Sequence, residues 1–110
     1  MKSERLGEFE ELSLLAICAL ADAAYGVAVQ QHLEKLTFRP VSMGAVYASL
    51  ERLERKGFVR SALTASTGVR GGKRKRIFRA TATGRDVLRD VRRLREAMWR
   101  SIEQPKGGRA

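Results

Sequence analysis

Residues 42–56 read SMGAVYASLERLERK, and their pattern predicts one helix with two different faces. At about 100° per residue, apolar side chains gather on one side while small and basic side chains fall on the other. The apolar side consists of Met43, Val46, Tyr47, Leu50 and Leu53, and the opposite side consists of Ala45, Ala48, Ser49, Arg52 and Lys56. We therefore expect the first set to be buried and the second to be exposed.

Both ends of this helix carry signals for its limits. Ser42 is a candidate N-cap, because its hydroxyl can accept a hydrogen bond from a backbone N–H of the first turn. Gly57 favours the left-handed conformation that ends many helices. The exposed face near the N-terminus has only small residues, Gly44, Ala45, Ala48 and Ser49. Because its backbone can approach another surface closely, such a helix fits the major groove of DNA.

The whole chain is short and strongly basic. Its 110 residues suffice for one small domain, and 22 Lys and Arg against 12 Asp and Glu give a net charge of +10. A chain of this length buries only about 60 to 70% of the surface that it exposes when unfolded, so a partner subunit would help to stabilise it. The charge favours a polyanionic partner, either nucleic acid or an acidic membrane surface.

Signals for export, membranes and catalysis are missing from the pattern. The N-terminus lacks an apolar signal segment, and the apolar run 12–24 is shorter than the ~20 residues of a membrane span. Cys18 lies in that run and His32 on a polar helix side, so neither has a partner for a metal site. Neither a GxxxxGK phosphate loop nor an HExxH zinc motif occurs. We expect a cytoplasmic protein that is not an enzyme and has no metal, cofactor or membrane partner.

Two helices are predicted before residues 42–56. Residues 9–23 are apolar on nearly all sides, which is typical of a central helix. A second helix covers about residues 27–36, with Val29, Leu33 and Leu36 facing inward. Pro40 ends the helical path, since it lacks a backbone N–H and disfavours the helical conformation of the residue before it.

The period changes after Gly57, where residues 58–64 and 75–81 predict two strands. Their connection, residues 65–74, contains three glycines and is too long for a tight hairpin turn. Five cations lie within seven positions, namely Arg70, Lys73, Arg74, Lys75 and Arg76. A solvated loop can also carry such a charge run. The glycines favour a nucleic-acid contact, because they let the backbone approach phosphates that the arginines bind in a bidentate manner.

The last predicted helix covers residues 83–104, with Thr83 as its N-cap and a flexible tail at residues 105–110. Its apolar residues recur at nearly heptad spacing: Val87, Val91, Leu94, Met98 and Ile102. A helix about 30 Å long exceeds what this core can cover, so pairing with a second copy is favoured over folding back. Trp99 lies beside this row, either as interface packing or as one wall of a site for a small planar aromatic ligand.

Four segments together resemble the PadR-like transcriptional regulators: GEFEELSLLAI at residues 7–17, AYG at 24–26, SMGAVYASLERLERKGFV at 42–59 and RGGKRKRIFRATATG at 70–84. The short length is similar to the subfamily with a single C-terminal helix. The resemblance implies a mainly α, winged helix-turn-helix fold with a small two-stranded β wing. It also implies a homodimer and repression that responds to small molecules or stress.

The resemblance implies roles for individual residues as well. Tyr47 matches the tyrosine of the recognition helix that touches the DNA backbone, although a core tyrosine is the alternative reading of the same pattern. With the wing cations named above, the predicted DNA contacts are Ser42, Gly44, Ala45, Tyr47, Ser49, Arg52, Arg70, Lys73, Arg74, Lys75 and Arg76. Residues 5–82 would form the DNA-binding domain, and residues 83–104 the dimerisation helix.

Two alternative functions are therefore consistent with this sequence. The first is a homodimeric repressor on double-stranded DNA, whose palindromic operator has half-sites about one helical turn apart. The second is an architectural or RNA-associated basic protein that binds nucleic acid without sequence preference. Competition with bulk unspecific DNA separates the two.

Overall fold

The computed structural model describes residues 5–64 and 74–104 and divides them among four α-helices, one short 3-10 helix and two strands. In chain order these elements are α1 (Glu8–Leu20), the 3-10 helix (Ala21–Ala23), α2 (Gly26–Thr37), α3 (Met43–Arg55), β1 (Val59–Leu63), β2 (Arg76–Ala80) and α4 (Ala82–Glu103). The predicted class, mainly α with a two-stranded wing, is confirmed.

The core is centred on α1, which packs against α2, α3, α4 and β2. Leu14 and Ile17 of α1 are completely buried, together with Val29 of α2 and Leu50 of α3. Leu36, which was predicted to face inward, is 63% exposed. That prediction was wrong because the part of α2 that packs into the core ends at Leu33. Within residues 5–64 and 74–104, no helix combines the length and the apolar character needed to cross a membrane.

The two strands pair in an antiparallel register that sends one face into the core. Val59 pairs with Ala80 and Ser61 with Phe78, and Val59 and Phe78 are buried. The backbone N–H of Phe78 donates to the carbonyl oxygen of Ala24 at 3.0 Å, so β2 is also attached to the segment between α1 and α2. The hairpin is therefore anchored at its base to the helical core.

The N-terminus of α4 is fixed to the same base, but not by the predicted cap. Thr83 was expected to cap this helix, whereas Thr81 does so: its hydroxyl oxygen accepts from the N–H of Gly84 at 3.0 Å. The Thr81 hydroxyl also donates to the carbonyl oxygen of Gly57 at 2.7 Å. Thr81 is the N-cap in place of Thr83 because its hydroxyl can accept from the helix and donate to Gly57 at the same time.

Candidate nucleic-acid interface

Helix α3 presents its N-terminal end to solvent while its remaining length is anchored in the core. The Ser42 hydroxyl accepts from the N–H of Ala45 at 3.0 Å, and Gly57 adopts a φ of 84°, so both predicted helix limits are confirmed. Ser42, Gly44 and Ala45 are exposed. A Cβ built on Gly44 would meet nothing within 4 Å. This end of α3 therefore forms a smooth surface that another molecule can approach.

Ser49 does not belong to that surface, and the prediction that it is exposed was wrong. Its side chain is fully buried, and its hydroxyl donates to the hydroxyl oxygen of Ser13 at 3.0 Å. Two small residues let α1 and α3 approach closely, and each hydroxyl supplies the partner that a buried polar group needs. The buried side of α3 is thus rotated toward Ser49, which leaves Met43 half-buried and Tyr47 45% exposed.

Tyr47 lies at the edge of α3 against the first residue of α2. A Cβ built on Gly26 would lie 2.4 Å from the Tyr47 hydroxyl oxygen, so only glycine leaves room for this contact. On the neighbouring Tyr25, Lys75 places its ammonium nitrogen 5.4 Å from the ring centroid. The N-terminal turn of α2 thus brings the edge of α3 close to the start of β2.

Arg52, in the last turn of α3, and Lys56, directly after the helix, converge on a buried carboxylate. The Glu10 side chain accepts from Arg52 Nε at 2.8 Å and from Lys56 Nζ at 2.7 Å, and it is only 6% exposed. The N–H of Gly7 donates to the same carboxylate at 2.9 Å. Arg52 was predicted as a DNA contact, but its Nε is occupied in fastening α3 to the first turn of α1. We call Glu10, Arg52 and Lys56 the carboxylate clamp.

The clamp changes the acidity of Glu10. Burial alone would raise its pKa, but the hydrogen bonds from Lys56, the Gly7 N–H and Arg52 together outweigh burial and lower the pKa from 4.5 to about 2. A carboxyl group with a depressed pKa stabilises the fold fully above its unfolded pKa. That stabilisation is lost as the pH falls from about 4.5 through about 2.

We predict that Glu10→Gln lowers the free energy of unfolding by about 3 kcal/mol at pH 7, because it leaves Arg52 and Lys56 without their buried carboxylate partner. The difference from the parent should shrink toward zero as the pH approaches 2. Urea denaturation of both proteins at several pH values measures it. Glu8→Gln, which changes an exposed carboxylate in the same helix turn, is the control and should change stability little. Equal losses in the two variants would show that the clamp does not hold the helices together.

The hairpin supplies the second group of cations. Arg74, Lys75 and Arg76 are exposed, whereas Arg70 and Lys73 lie outside the described residues. Arg76 donates from Nη1 to the Ser61 hydroxyl oxygen at 3.0 Å, and that hydroxyl donates to Glu54 of α3 at 2.9 Å. Among the ion pairs of the described chain, none includes Arg74 or Lys75. Both side chains thus expose their charge, and within residues 5–64 and 74–104 no acidic side chain pairs with it.

Helix α4 carries an exposed apolar row. Val87 and Val91 are half-buried, but further along Leu94 is 62% exposed, Met98 60% and Ile102 70%. Trp99 beside them is 63% exposed. Together with Glu11 of α1 and Leu6 before that helix, these residues line an open groove of about 680 Å³. A row of this size on a helix that leaves the core is typical of a surface that packs against another helix.

Comparison with protein families decides the identity of the chain. The model of the family described as "Transcriptional regulator PadR-like family" matches residues 14–90, which cover α2, α3, the hairpin and the start of α4. The chain belongs to this family. As a PadR-like protein it is a DNA-binding transcriptional regulator and not an enzyme.

Individual relatives agree with this assignment. The chain is 33% identical over 84 residues to Transcriptional regulator Rv3488 of Mycobacterium tuberculosis, covering 76% of this chain and 74% of the relative. A PadR-like transcription factor from Bacteroides fragilis has a similar fold, with a TM-score of 0.69, 19% identity and coverage of 86% and 87%. A PadR-like transcriptional regulator from Bacillus cereus also has a similar fold, with a TM-score of 0.63 and 20% identity. The match covers 86% of this chain and 93% of that protein.

For this PadR-like chain, sequence reasoning missed the carboxylate clamp and the Ser13–Ser49 pair. Their partners are separated by 42, 46 and 36 residues, so no local periodicity reveals them. The AYG motif gave a signal for Gly26, although only the structure gives the physical reason for that glycine. In the described part of the chain, no group of three or more His, Cys, Asp or Glu side chains could hold a metal ion.

Proposed function

We propose that this PadR-like regulator is a homodimeric repressor that reads a palindromic operator with the N-terminal ends of two α3 helices. The observation that carries the proposal is the surface formed by Ser42, Gly44 and Ala45, whose side chains are exposed, small and uncharged. A recognition helix contacts base edges through its N-terminal residues, and small residues there permit close approach to the groove floor.

Phosphate contacts would flank this reading surface on the side of α2 and the hairpin. Tyr47 lies at the first turn of α2, which contains no acidic residue, and a helix N-terminus favours negative charge. Lys75 lies nearby over Tyr25. The proposed DNA contacts are thus Ser42, Gly44, Ala45, Tyr47, Arg74, Lys75 and Arg76, with Arg70 and Lys73 added from the sequence. Arg52 remains a secondary candidate for a DNA contact, because its two terminal nitrogens could still reach a phosphate. Ser49 is buried and is therefore not among the proposed DNA contacts.

The hairpin cations give a prediction about salt. Replacing Arg74 and Lys75 with glutamine should weaken binding to all DNA sequences alike, because phosphate contacts carry no sequence information. The slope of log K against log [salt] should fall by roughly one unit per lost contact. Fluorescence anisotropy at several salt concentrations measures it. Arg89→Gln/Arg92→Gln on α4 removes the same charge elsewhere and is the control. If the slope of log K against log [salt] is the same in the Arg74/Lys75 variant and in the parent, these two cations do not contact phosphates.

The apolar row of α4 supports the homodimer. We propose residues 5–82 as the DNA-binding unit and residues 83–104 as the dimerisation helix, with the row from Val87 to Ile102 packing on its own copy. In a two-fold symmetric dimer, each subunit contributes the same residues to the interface. Such a dimer would place two α3 helices on one face of the DNA about one helical turn apart.

Trp99 supports a response to a ligand. In the dimer its ring would lie near the two-fold axis, where a planar aromatic molecule could stack and change the separation of the subunits. A ligand shifts a conformational equilibrium only through its different affinities for the two states, and couplings of about 1 to 3 kcal/mol are typical. Quenching of this sole tryptophan, measured together with operator affinity, tests the site.

The test of the proposed function is competition between a selected site and bulk DNA. The purified protein is first used to enrich binding sequences from random duplexes, and labelled enriched DNA is then challenged with unspecific DNA. A specific regulator should bind its enriched site at least about 10³-fold more tightly than unspecific DNA. Loss of the site at comparable concentrations of unspecific DNA would favour the architectural or RNA-associated alternative.

A further inference from the structure

Phe38, the residue that ends α2, combines two unfavourable properties. Its side chain is 91% exposed, and its backbone adopts a left-handed conformation with φ 58° and ψ 36°. Glycine or asparagine is the usual residue at such a helix end, because a bulky side chain is strained there. At this exposure the ring buries almost no apolar surface against the described residues. Phe38 thus contributes little to folding by itself.

The turn that carries Phe38 is nevertheless fixed by hydrogen bonds at both ends. The Phe38 N–H donates to the carbonyl oxygen of Glu34 at 2.9 Å, and the Glu34 carboxylate accepts from the N–H of Val41 at 2.8 Å. The Gln30 side chain donates to the carbonyl oxygen of Val41, also at 2.8 Å. A side chain on a fixed turn loses less conformational entropy when it makes a contact. The backbone that carries the ring is therefore fixed before a partner binds.

The surroundings of Phe38 identify the chemistry of that partner. Arg39 and Pro40 beside it are exposed, and Ser42, the N-cap of α3, follows four residues later. Residues 35–45 contain two cations and no Asp or Glu. The turn thus adds exposed cations beside the N-terminal end of α3. The nearby Glu34 carboxylate is engaged by the Val41 N–H, and Glu8 lines the same cavity as Arg39 and Ser42. A partner that is anionic and also exposes apolar groups fits this combination, and duplex DNA exposes deoxyribose and thymine methyl groups beside its phosphates.

We propose that Phe38 is a DNA contact, whose ring packs against deoxyribose and base edges next to the half-site read by α3 while Arg39 binds the adjoining phosphate. This inference rests on the proposed function, because it places Phe38 at the edge of the same interface. It adds an apolar contact to a surface that otherwise offers only small residues and cations. The strained backbone at Phe38 is retained because the ring serves binding and not folding.

The test uses two substitutions at one position. Asparagine tolerates the left-handed conformation, so Phe38→Asn should hold the melting temperature or raise it by up to about 5 °C. The same variant should bind the enriched DNA site roughly 5- to 30-fold more weakly, as expected when one phenyl ring buried in an interface is lost. Phe38→Tyr keeps the ring and should bind within about twofold of the parent. Leu36→Gln, which changes another exposed apolar side chain of α2, is the control and should leave binding unchanged.

The possible outcomes are distinguishable. A stable Phe38→Asn protein with weakened DNA binding and a normal Phe38→Tyr protein supports the inference. Unchanged binding in Phe38→Asn, while the parent still selects its site, overturns the inference and leaves the proposed function intact. A fall in melting temperature of more than 5 °C overturns it too, since the ring would then pack inside the protein. Unchanged DNA binding with altered self-association would assign Phe38 to a protein contact. A parent that selects no site overturns both.

Discussion

Replacing Gly84 with alanine should lower the free energy of unfolding by about 3 to 4 kcal/mol. A Cβ on Gly84 would lie 2.2 Å from the carbonyl oxygen of Phe58. That oxygen also accepts the hydrogen bond from the N–H of Thr81 at 3.0 Å, so neither neighbour can move away cheaply. Overpacking of a rigid site costs up to about 3 kcal/mol, and loss of the hydrogen bond adds about 1 kcal/mol. Urea denaturation followed by circular dichroism measures the change.

The matched control for this prediction is Gly44→Ala. Gly44 also lies in the first turn of a helix, but nothing is within 4 Å of its Cβ position. Alanine should therefore stabilise α3 by about 0.5 to 1 kcal/mol, as it does in an unobstructed helix. Two glycines at similar helix positions should thus respond with opposite signs. If Gly84→Ala were as stable as Gly44→Ala, α4 would not approach Phe58 as closely as the structure has it.

Replacing Gly44 with glutamate should reduce affinity for the enriched DNA site at least about 100-fold while the fold persists. The carboxylate would face phosphates and base acceptors at the centre of the proposed reading surface, with no room for water to separate them. Stability should not fall, because a negative charge in the first turn of α3 interacts favourably with the helix dipole. Affinity is measured by anisotropy, and folding by thermal denaturation.

Gly44→Gln separates charge from size in this experiment. Glutamine has nearly the same shape as glutamate but no charge, so it should lose less affinity. Its deficit should also depend less on salt than that of the glutamate variant, because salt screens charge repulsion. If the Gly44→Glu protein folds normally and its affinity for the enriched site is unchanged, the N-terminal end of α3 does not contact the bases.

Much of the fold follows from local patterns because those patterns are enforced by neighbouring residues. The Ser42 cap, the Gly57 stop and the two strands of the hairpin each depend on residues within a few positions of one another, and all agree with the structure. The buried leucines of α3 follow equally well from helical periodicity. These signals sufficed for the class of the fold and for the exposed end of the helix.

The errors arose where distant residues override local preference. Ser49 occupies the same helical spacing as the buried Val46, Leu50 and Leu53, and only its polar side chain favoured exposure. The hydroxyl of Ser13 gives it a buried partner. Arg52 has the charge of a phosphate contact, yet Glu10 holds it from 42 positions away. Thr81 replaces Thr83 as the cap of α4 because it also bonds to Gly57. Such partners become visible only after the helices are packed together.

The central claim is that α3 helices of a two-fold dimer read one operator. Hydroxyl-radical footprinting of the full chain on its enriched DNA site tests this claim most directly, because it maps each protected sugar. We expect two protected regions of similar extent, related by a two-fold axis and centred about one helical turn apart on the same face of the duplex. A single protected region without symmetry, or uniform weak protection along the whole fragment, would contradict the account.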